Sequence, residues 1–289
     1  MATQDLTVYL NGQFLPIDEA RIPVLDRGFL FGDGVYEVIP VYGGKPLRLE
    51  EHLRRLDQSL AAIRMQSPLT DTEWTAIFDR LILGNVDQQI YLQVTRGAAN
   101  KRDHAIPAGI APTVFVMCTP IAPIPLNGIK AITVDDIRWD RCNIKAITLL
   151  ANVLLRQDAV DQGAAEAILV RDGRVLEGAA SNILIVSGGK IITPPKGDTI
   201  LPGITRDLVL ELAQSLDIPT EERHFDVTEL KNAEEIWVTS STREILAIIE
   251  LDGNPISGGA PGKIWKTLQS AYQEYKKAAS GSSSTQKAG

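Results

Sequence analysis

The chain of 289 residues is 44% hydrophobic and 22% charged, enough to bury one large core or two medium ones. Its formal charge of -7 comes from acidic residues interspersed with basic ones, which argues against a nucleic-acid arm or a membrane-surface helix. Two cysteines, Cys118 and Cys142, exclude a disulfide framework, the opening MATQDLTVYL is not a signal peptide, and no apolar run approaches the ~20 residues of a membrane span, so a cytoplasmic protein is expected.

In chain order, Leu6 to Pro16 alternates apolar and polar residues around Asn11-Gly12, which predicts a hairpin with a type I′ turn. Leu49, Leu53, Leu56, Leu60 and Ile63 recur every three or four positions and predict an amphipathic helix. A second helix is expected from Asp71 to Leu83, and strands from Gln89 to Arg96 and Thr113 to Cys118, flanking a polar loop from Gly97 to Pro112. These make a first α+β domain, residues 1–120. Three prolines between Thr119 and Gly128 forbid helix, so 121–128 reads as an interdomain linker.

Beyond it, Ile129 to Ile137 reads as a strand, and Leu149 to Gln162 as a helix stopped by Gly163. A hairpin at Asp172-Gly173 follows, then strand Asn182 to Val186, helix Ile204 to Leu216, strand Glu235 to Thr239 and a last helix from Lys263 to about Lys277. This second α+β domain spans 129–278, and 279–289 is expected to be a flexible tail.

Common chemical motifs are missing. GGAPGK at 258–263 has Ser257 where a phosphate-binding loop needs its first glycine, the three histidines form no ligand pair, and there is no G-x-S-x-G elbow. Four local patterns stand out instead. Asp26-Arg-Gly-Phe-Leu-Phe-Gly-Asp-Gly-Val-Tyr-Glu37 is a tight polar loop delivering Tyr36 to a strand. Leu47-Arg-Leu-Glu-Glu-His-Leu-Arg-Arg-Leu56 is followed by Arg141-Cys-Asn-Ile-Lys-Ala-Ile-Thr148, a lysine between a strand and a helix. Burial there would favour the neutral, nucleophilic amine of Lys145. The fourth is Leu176-Glu-Gly-Ala-Ala-Ser-Asn182, with Leu201-Pro-Gly-Ile-Thr-Arg206 and Val238-Thr-Ser-Ser-Thr242 after it. A helix opening at Ile204 leaves unpaired N–H groups in its first turn, a ready anion site.

Taken in this order, the patterns resemble the fold-type-IV pyridoxal-phosphate enzymes: D-amino-acid aminotransferases, branched-chain aminotransferases and aminodeoxychorismate lyases. The resemblance covers about residues 5 to 277. It is closest to the D-amino-acid aminotransferases, through Asp136-Ile-Arg-Trp-Asp-Arg-Cys-Asn-Ile-Lys145 and Arg96-Gly-Ala-Ala-Asn-Lys-Arg-Asp-His104. It implies two α+β domains with pyridoxal 5'-phosphate in the cleft between them, a homodimer, and transfer of an amino group between D-amino acids and 2-oxo acids by way of pyridoxamine phosphate.

By the same resemblance Lys145 binds the cofactor covalently and then moves the Cα proton, Glu177 faces the pyridine nitrogen, and Arg55 holds the phosphate. Ile204, Thr205, Ser240 and Ser241 complete the phosphate cup, while Leu201 packs on the ring. Tyr36, Arg102 and His104 would trap the substrate carboxylate, with the loop carrying the last two reaching the partner subunit. Ala179 and Ala180 depart from relatives that carry hydroxyl residues there, and the loop has one extra residue before Arg102. Three other readings stay open: a branched-chain L-aminotransferase or (R)-amine transaminase, an aminodeoxychorismate lyase, and a non-enzymatic small-molecule-binding protein.

Overall fold

The computed structural model describes residues 6–281, so most of the expected tail lies outside the described residues. These fall into two compact units. The first runs to Ile121, takes in Ile144–Thr148, and begins again at Lys277; the second comprises Ala122–Asn143 and Leu149–Lys276.

The first unit contains β1 (Thr7–Leu10), β2 (Gln13–Pro16), α1 (Arg27–Phe31), β3 (Gly34–Tyr42), β4 (Lys45–Pro46), α2 (Leu49–Ala62), α3 (Asp71–Leu81), β5 (Gln88–Thr95) and β6 (Thr113–Pro120). Its six strands form one antiparallel sheet in the order β2-β1-β6-β5-β3-β4. Asn11 and Gly12 have φ of 48° and 92°, the left-handed pair that a type I′ turn requires, and they set the register Leu10↔Gln13. Thr70 and Glu73 form a reciprocal capping box at the start of α3. Leu53, Leu56 and Leu60 of α2 and Trp74 and Phe78 of α3 bury against Ile39, Leu92 and their neighbours on the sheet, each contributing roughly 1.5–3 kcal/mol.

The second unit contains β7 (Ile129–Asp135), α4 (Leu150–Asp161), β8 (Glu166–Arg171), β9 (Arg174–Gly178), β10 (Asn182–Ser187), β11 (Lys190–Thr193), α5 (Ile204–Ser215), β12 (Thr220–Glu222), α6 (Val227–Lys231), β13 (Glu235–Ser240), β14 (Glu244–Leu251), β15 (Asn254–Pro255) and α7 (Lys263–Ala279), the last running a few residues past this unit. The sheet order is β12-β11-β10-β13-β14-β7-β8-β9, with β15 on β14. A bridge between Gly178 and Ser181 ties the end of β9 to the start of β10. Asn182 to Val186 is buried throughout, which is why that strand reads as a continuous apolar run.

Lys145, expected in the second domain, lies in a segment, 144–148, that packs with the first unit. β4 pairs with β3 only at Val41 and Tyr42, leaving the start of β3 with an open edge. The segment fills it. The Tyr36 N–H donates to the Lys145 carbonyl at 3.0 Å and the Ile147 N–H to the Gly34 carbonyl at 3.1 Å, while Ile144 and Ala146 bury in the first unit's core.

Loop 97–112 begins at a glycine the fold requires. Gly97 has φ +99°, and a Cβ there would lie 1.9 Å from the Ala111 carbonyl oxygen. Gly97→Ala is therefore expected to destabilise the protein by at least about 1–3 kcal/mol from backbone strain alone. An unchanged midpoint in denaturant unfolding would contradict this.

Candidate active site

In the first unit the chemistry gathers on the β3 pairing. The Lys145 Nζ stands 4.2 Å from the centre of the Tyr36 ring, and the Lys145 N–H donates to the Ser59 hydroxyl of α2 at 3.2 Å. Glu37, next along β3, points to the opposite face and is wholly buried. Arg55 grips it with a fork, Nε to Oε1 at 2.7 Å and Nη2 to Oε2 at 2.8 Å, and the His52 Nδ1 lies 2.7 Å from Oε2. His52 and Arg55 share a face of α2 because they are three residues apart. Burial raises the Glu37 carboxyl, but Arg55 and His52 outweigh it and hold it at about 2. Burial holds His52 below its ordinary value despite the carboxylate. Arg54, by contrast, is exposed and pairs with Glu50.

Arg102 and His104 are exposed in loop 97–112. They gather on Phe31, with the Arg102 guanidinium 5.0 Å from that ring's centre and the His104 ring at 5.2 Å. The ring neighbours of Tyr36 are Lys145 and Tyr91. Within this unit, then, Arg102 and His104 sit together on Phe31, whereas Tyr36 sits with the lysine.

In the second unit Glu177, at 4% exposure, is the centre. It accepts from Arg138 Nη1 at 2.5 Å, Asn182 Nδ2 at 3.1 Å and the Leu201 N–H at 3.1 Å. Asn182 also donates to the Leu201 carbonyl at 2.8 Å, so Glu177 and Leu201 are held as one group. Burial pushes the Glu177 carboxyl up to about 7, against the pull of Arg138. Arg138 is in turn fixed by Asp136, at 2.9 and 3.0 Å.

The start of α5 adjoins this group. A Cβ on Gly203 would come within 1.8 Å of the Asn182 Oδ1, so only glycine fits there. Gly203 offers no side-chain cap, and the first helical bond runs from the Asp207 N–H to the Gly203 carbonyl. The N–H groups of Ile204, Thr205 and Arg206 thus have no acceptor within the helix. Thr205 is buried. Ser240 and Ser241 are half-buried at the end of β13, beside Thr239, which pairs with Asn182 and whose buried hydroxyl has no hydrogen-bond partner among the described residues.

Four residues that the sequence reading passed over belong to these clusters: Glu37, His52, Arg138 and Asn182. His52 and Arg138 were legible as spacings, three residues from Arg55 and two from Asp136. Glu37 and Asn182 carried no signal beyond their motif.

Each unit carries groups of the kind pyridoxal phosphate uses: the first a half-buried lysine suited to its aldehyde, the second a buried carboxylate able to accept from a pyridinium N–H and an uncapped helix terminus with a hydroxyl suited to its phosphate. The family model described as amino-transferase class IV matches residues 34–251. The chain belongs to the class IV aminotransferases. They are pyridoxal-phosphate enzymes. This aminotransferase is 41% identical over 273 residues to a D-alanine aminotransferase of Bacillus licheniformis, covering 93% of this chain and 96% of that one. Among solved structures it is similar to a branched-chain aminotransferase of Thermoproteus uzoniensis with norvaline, at 29% identity and a TM-score of 0.83, with 96% of each chain covered. It is similar too to a hypothetical aminotransferase of Mycobacterium tuberculosis in a PLP-bound form, at 25% identity and a TM-score of 0.82, covering 96% of this chain and 99% of the other.

The aminotransferase should show the Glu37 pairing in its acid stability. With the carboxyl held at about 2 against an ordinary 4.5, the stabilisation is fully present above pH 4.5 and is lost as pH falls toward 2. The stability gap between wild type and Glu37→Gln is expected to close over that window, by on the order of 3 kcal/mol. Chemical denaturation at stepped pH measures it, and a gap independent of pH would mean that Glu37 is not ionised in the folded protein.

Proposed function

We propose that this aminotransferase exchanges an amino group between a D-amino acid and a 2-oxo acid such as pyruvate or 2-oxoglutarate. The observation that carries the reading is the pair Arg102 and His104, two donors in R-x-H spacing held on one aromatic ring at the protein surface. An exposed guanidinium with an imidazole suits an α-carboxylate. The 41% identity to a D-alanine aminotransferase supports it.

When bound, pyridoxal phosphate supplies an electron sink for the bond broken at Cα. Lys145 would hold the cofactor, and its Nζ would carry the proton on and off Cα of the substrate. Glu177, its direction fixed by Arg138 and Asn182, would keep a positive charge on the pyridine nitrogen. In the first unit Arg55, steadied by Glu37 and His52, would be a phosphate donor; in the second, the Ile204 and Thr205 N–H groups, the Thr205 hydroxyl, Ser240 and Ser241 would be phosphate donors, and Leu201 would face the ring. Tyr36 adds a phenol to the carboxylate donors.

A homodimer accords with two features. Arg102 and His104 gather on Phe31 whereas Tyr36 packs with Lys145 and Tyr91, which suits a loop that serves the partner subunit. Leu150, Val153 and Leu154 of α4 are 72%, 59% and 50% exposed, an apolar face of the kind a second copy covers. No helix among the described residues is long and apolar enough to cross a membrane. Cys118 and Cys142 are buried free thiols, as expected of a cytoplasmic enzyme. Branched-chain L-amino acids are the second reading, favoured by the likeness to the Thermoproteus enzyme.

Paired enantiomers of alanine, glutamate and leucine as donors decide between these readings. D-Alanine or D-glutamate is expected to exceed its L form in kcat/KM by at least tenfold. Arg102→Ala should raise KM for the D donor by at least tenfold and leave the visible absorbance of the bound cofactor unchanged. Turnover of L-leucine as efficient as that of any D donor would overturn the reading.

A further inference from the structure

We propose that Arg27 is the positioning residue that presents Arg102 and His104 to the substrate carboxylate, an inference that rests on the reading of those two residues given above. It starts from a buried charge with an unusual set of acceptors. Arg27 sits at the first position of α1 and is 4% exposed. Its Nη1 donates to the Asp103 carbonyl at 2.6 Å and to the Ala105 carbonyl at 3.3 Å, and its Nη2 donates to the His104 carbonyl at 3.3 Å. Three consecutive carbonyls of the loop carrying Arg102 and His104 therefore converge on one guanidinium.

The guanidinium is itself fixed from behind. Its Nε donates to Asp33 at 2.7 Å, and Asp33 is also gripped by Arg96 at 2.8 and 2.9 Å. Asp26, just before Arg27, accepts the Gly28 N–H at 2.8 Å and the hydroxyls of Thr95 and Thr113 at 3.0 and 2.6 Å. The start of α1 is thereby bolted to β5 and β6. Four residues on, Phe31 faces Arg27 at 4.9 Å and carries Arg102 and His104 on its ring. Backbone and side chains of the carboxylate donors are thus both referenced to one short helix.

The consequence concerns binding. Residues 97–112 form no strand or helix, and exposed long side chains on such a loop lose rotamer freedom when they close on an anion. A loop already ordered by Arg27 loses less, so the residue lowers KM for carboxylate substrates. It touches neither substrate nor cofactor, so the chemical steps at Lys145 are untouched.

The test uses the holoenzyme with Arg27→Met and Arg27→Lys. Arg27→Met is expected to raise KM for both D-alanine and 2-oxoglutarate by at least tenfold, with kcat changed less than about twofold. Hydroxylamine, which has no carboxylate, should still discharge the visible absorbance of the lysine-bound cofactor at the wild-type rate. Tryptic cleavage after Lys101 should be faster in Arg27→Met, and Arg27→Lys, which keeps the charge, should recover part of both losses. Arg27→Met on top of Arg102→Ala should raise KM by much less than it does in the wild type, since only His104 is then left to present. Unchanged KM values in both variants, a hydroxylamine reaction impaired along with KM, or independent effects in the double variant would each overturn the proposal. If Arg102→Ala alone leaves KM unchanged, the carboxylate reading itself has failed, and the proposal falls with it even where Lys101 cleavage has accelerated.

Discussion

Two backbone hydrogen bonds, from the Tyr36 N–H to the Lys145 carbonyl and from the Ile147 N–H to the Gly34 carbonyl, set the geometry on which the rest of the first unit's chemistry depends. They lock a five-residue segment from beyond the linker onto the open edge of β3. In an extended pairing neighbouring residues point to opposite faces, so a shift of one residue would exchange the sides. Register thus brings Lys145 over the Tyr36 ring and turns Glu37 inward to meet Arg55. Gly34 is required here: a Cβ would come within 2.6 Å of the Val94 carbonyl oxygen.

Around that frame the protein buries charges in matched groups. Glu37 is shared by Arg55 and His52, Glu177 by Arg138, Asn182 and the Leu201 N–H, and Asp33 by Arg27 and Arg96. Such groups add little net stability compared with apolar packing, but losing one member strands the others. Their contribution is direction: each carboxylate holds an arginine, or is held by one, at a fixed angle. Of these acids, Glu37 and Glu177 end in different states because of their partners. Glu37 has a guanidinium fork and an imidazole and stays ionised. Glu177 is held up at about 7, a carboxyl that a neighbouring cation would readily ionise.

Much of this was legible in the residues. The Asn11-Gly12 hairpin, the periodic leucines of α2 and the apolar run from Asn182 each combine local propensity with pattern, and they fold as read. The unread strands β11 and β14 are short apolar runs, KIIT and EILAIIEL, whose periodicity does not separate strand from buried helix. The placement of 144–148 was not legible, since pairing with β3 is a contact across about 110 positions that no local pattern encodes. The role of Arg27 has no local signal either, because its partners include backbone carbonyls, which carry no sequence signature.

The central claim is that the segment held on β3 delivers the cofactor-binding lysine. Borohydride reduction of the holoenzyme followed by tryptic peptide mapping tests it most directly, since the reduced cofactor stays on the nitrogen it was bound to and blocks cleavage there. The account predicts one phosphopyridoxyl group per chain on an uncleaved peptide from Cys142 to Arg156. A label on any other lysine, with cleavage at Lys145 intact, would contradict it.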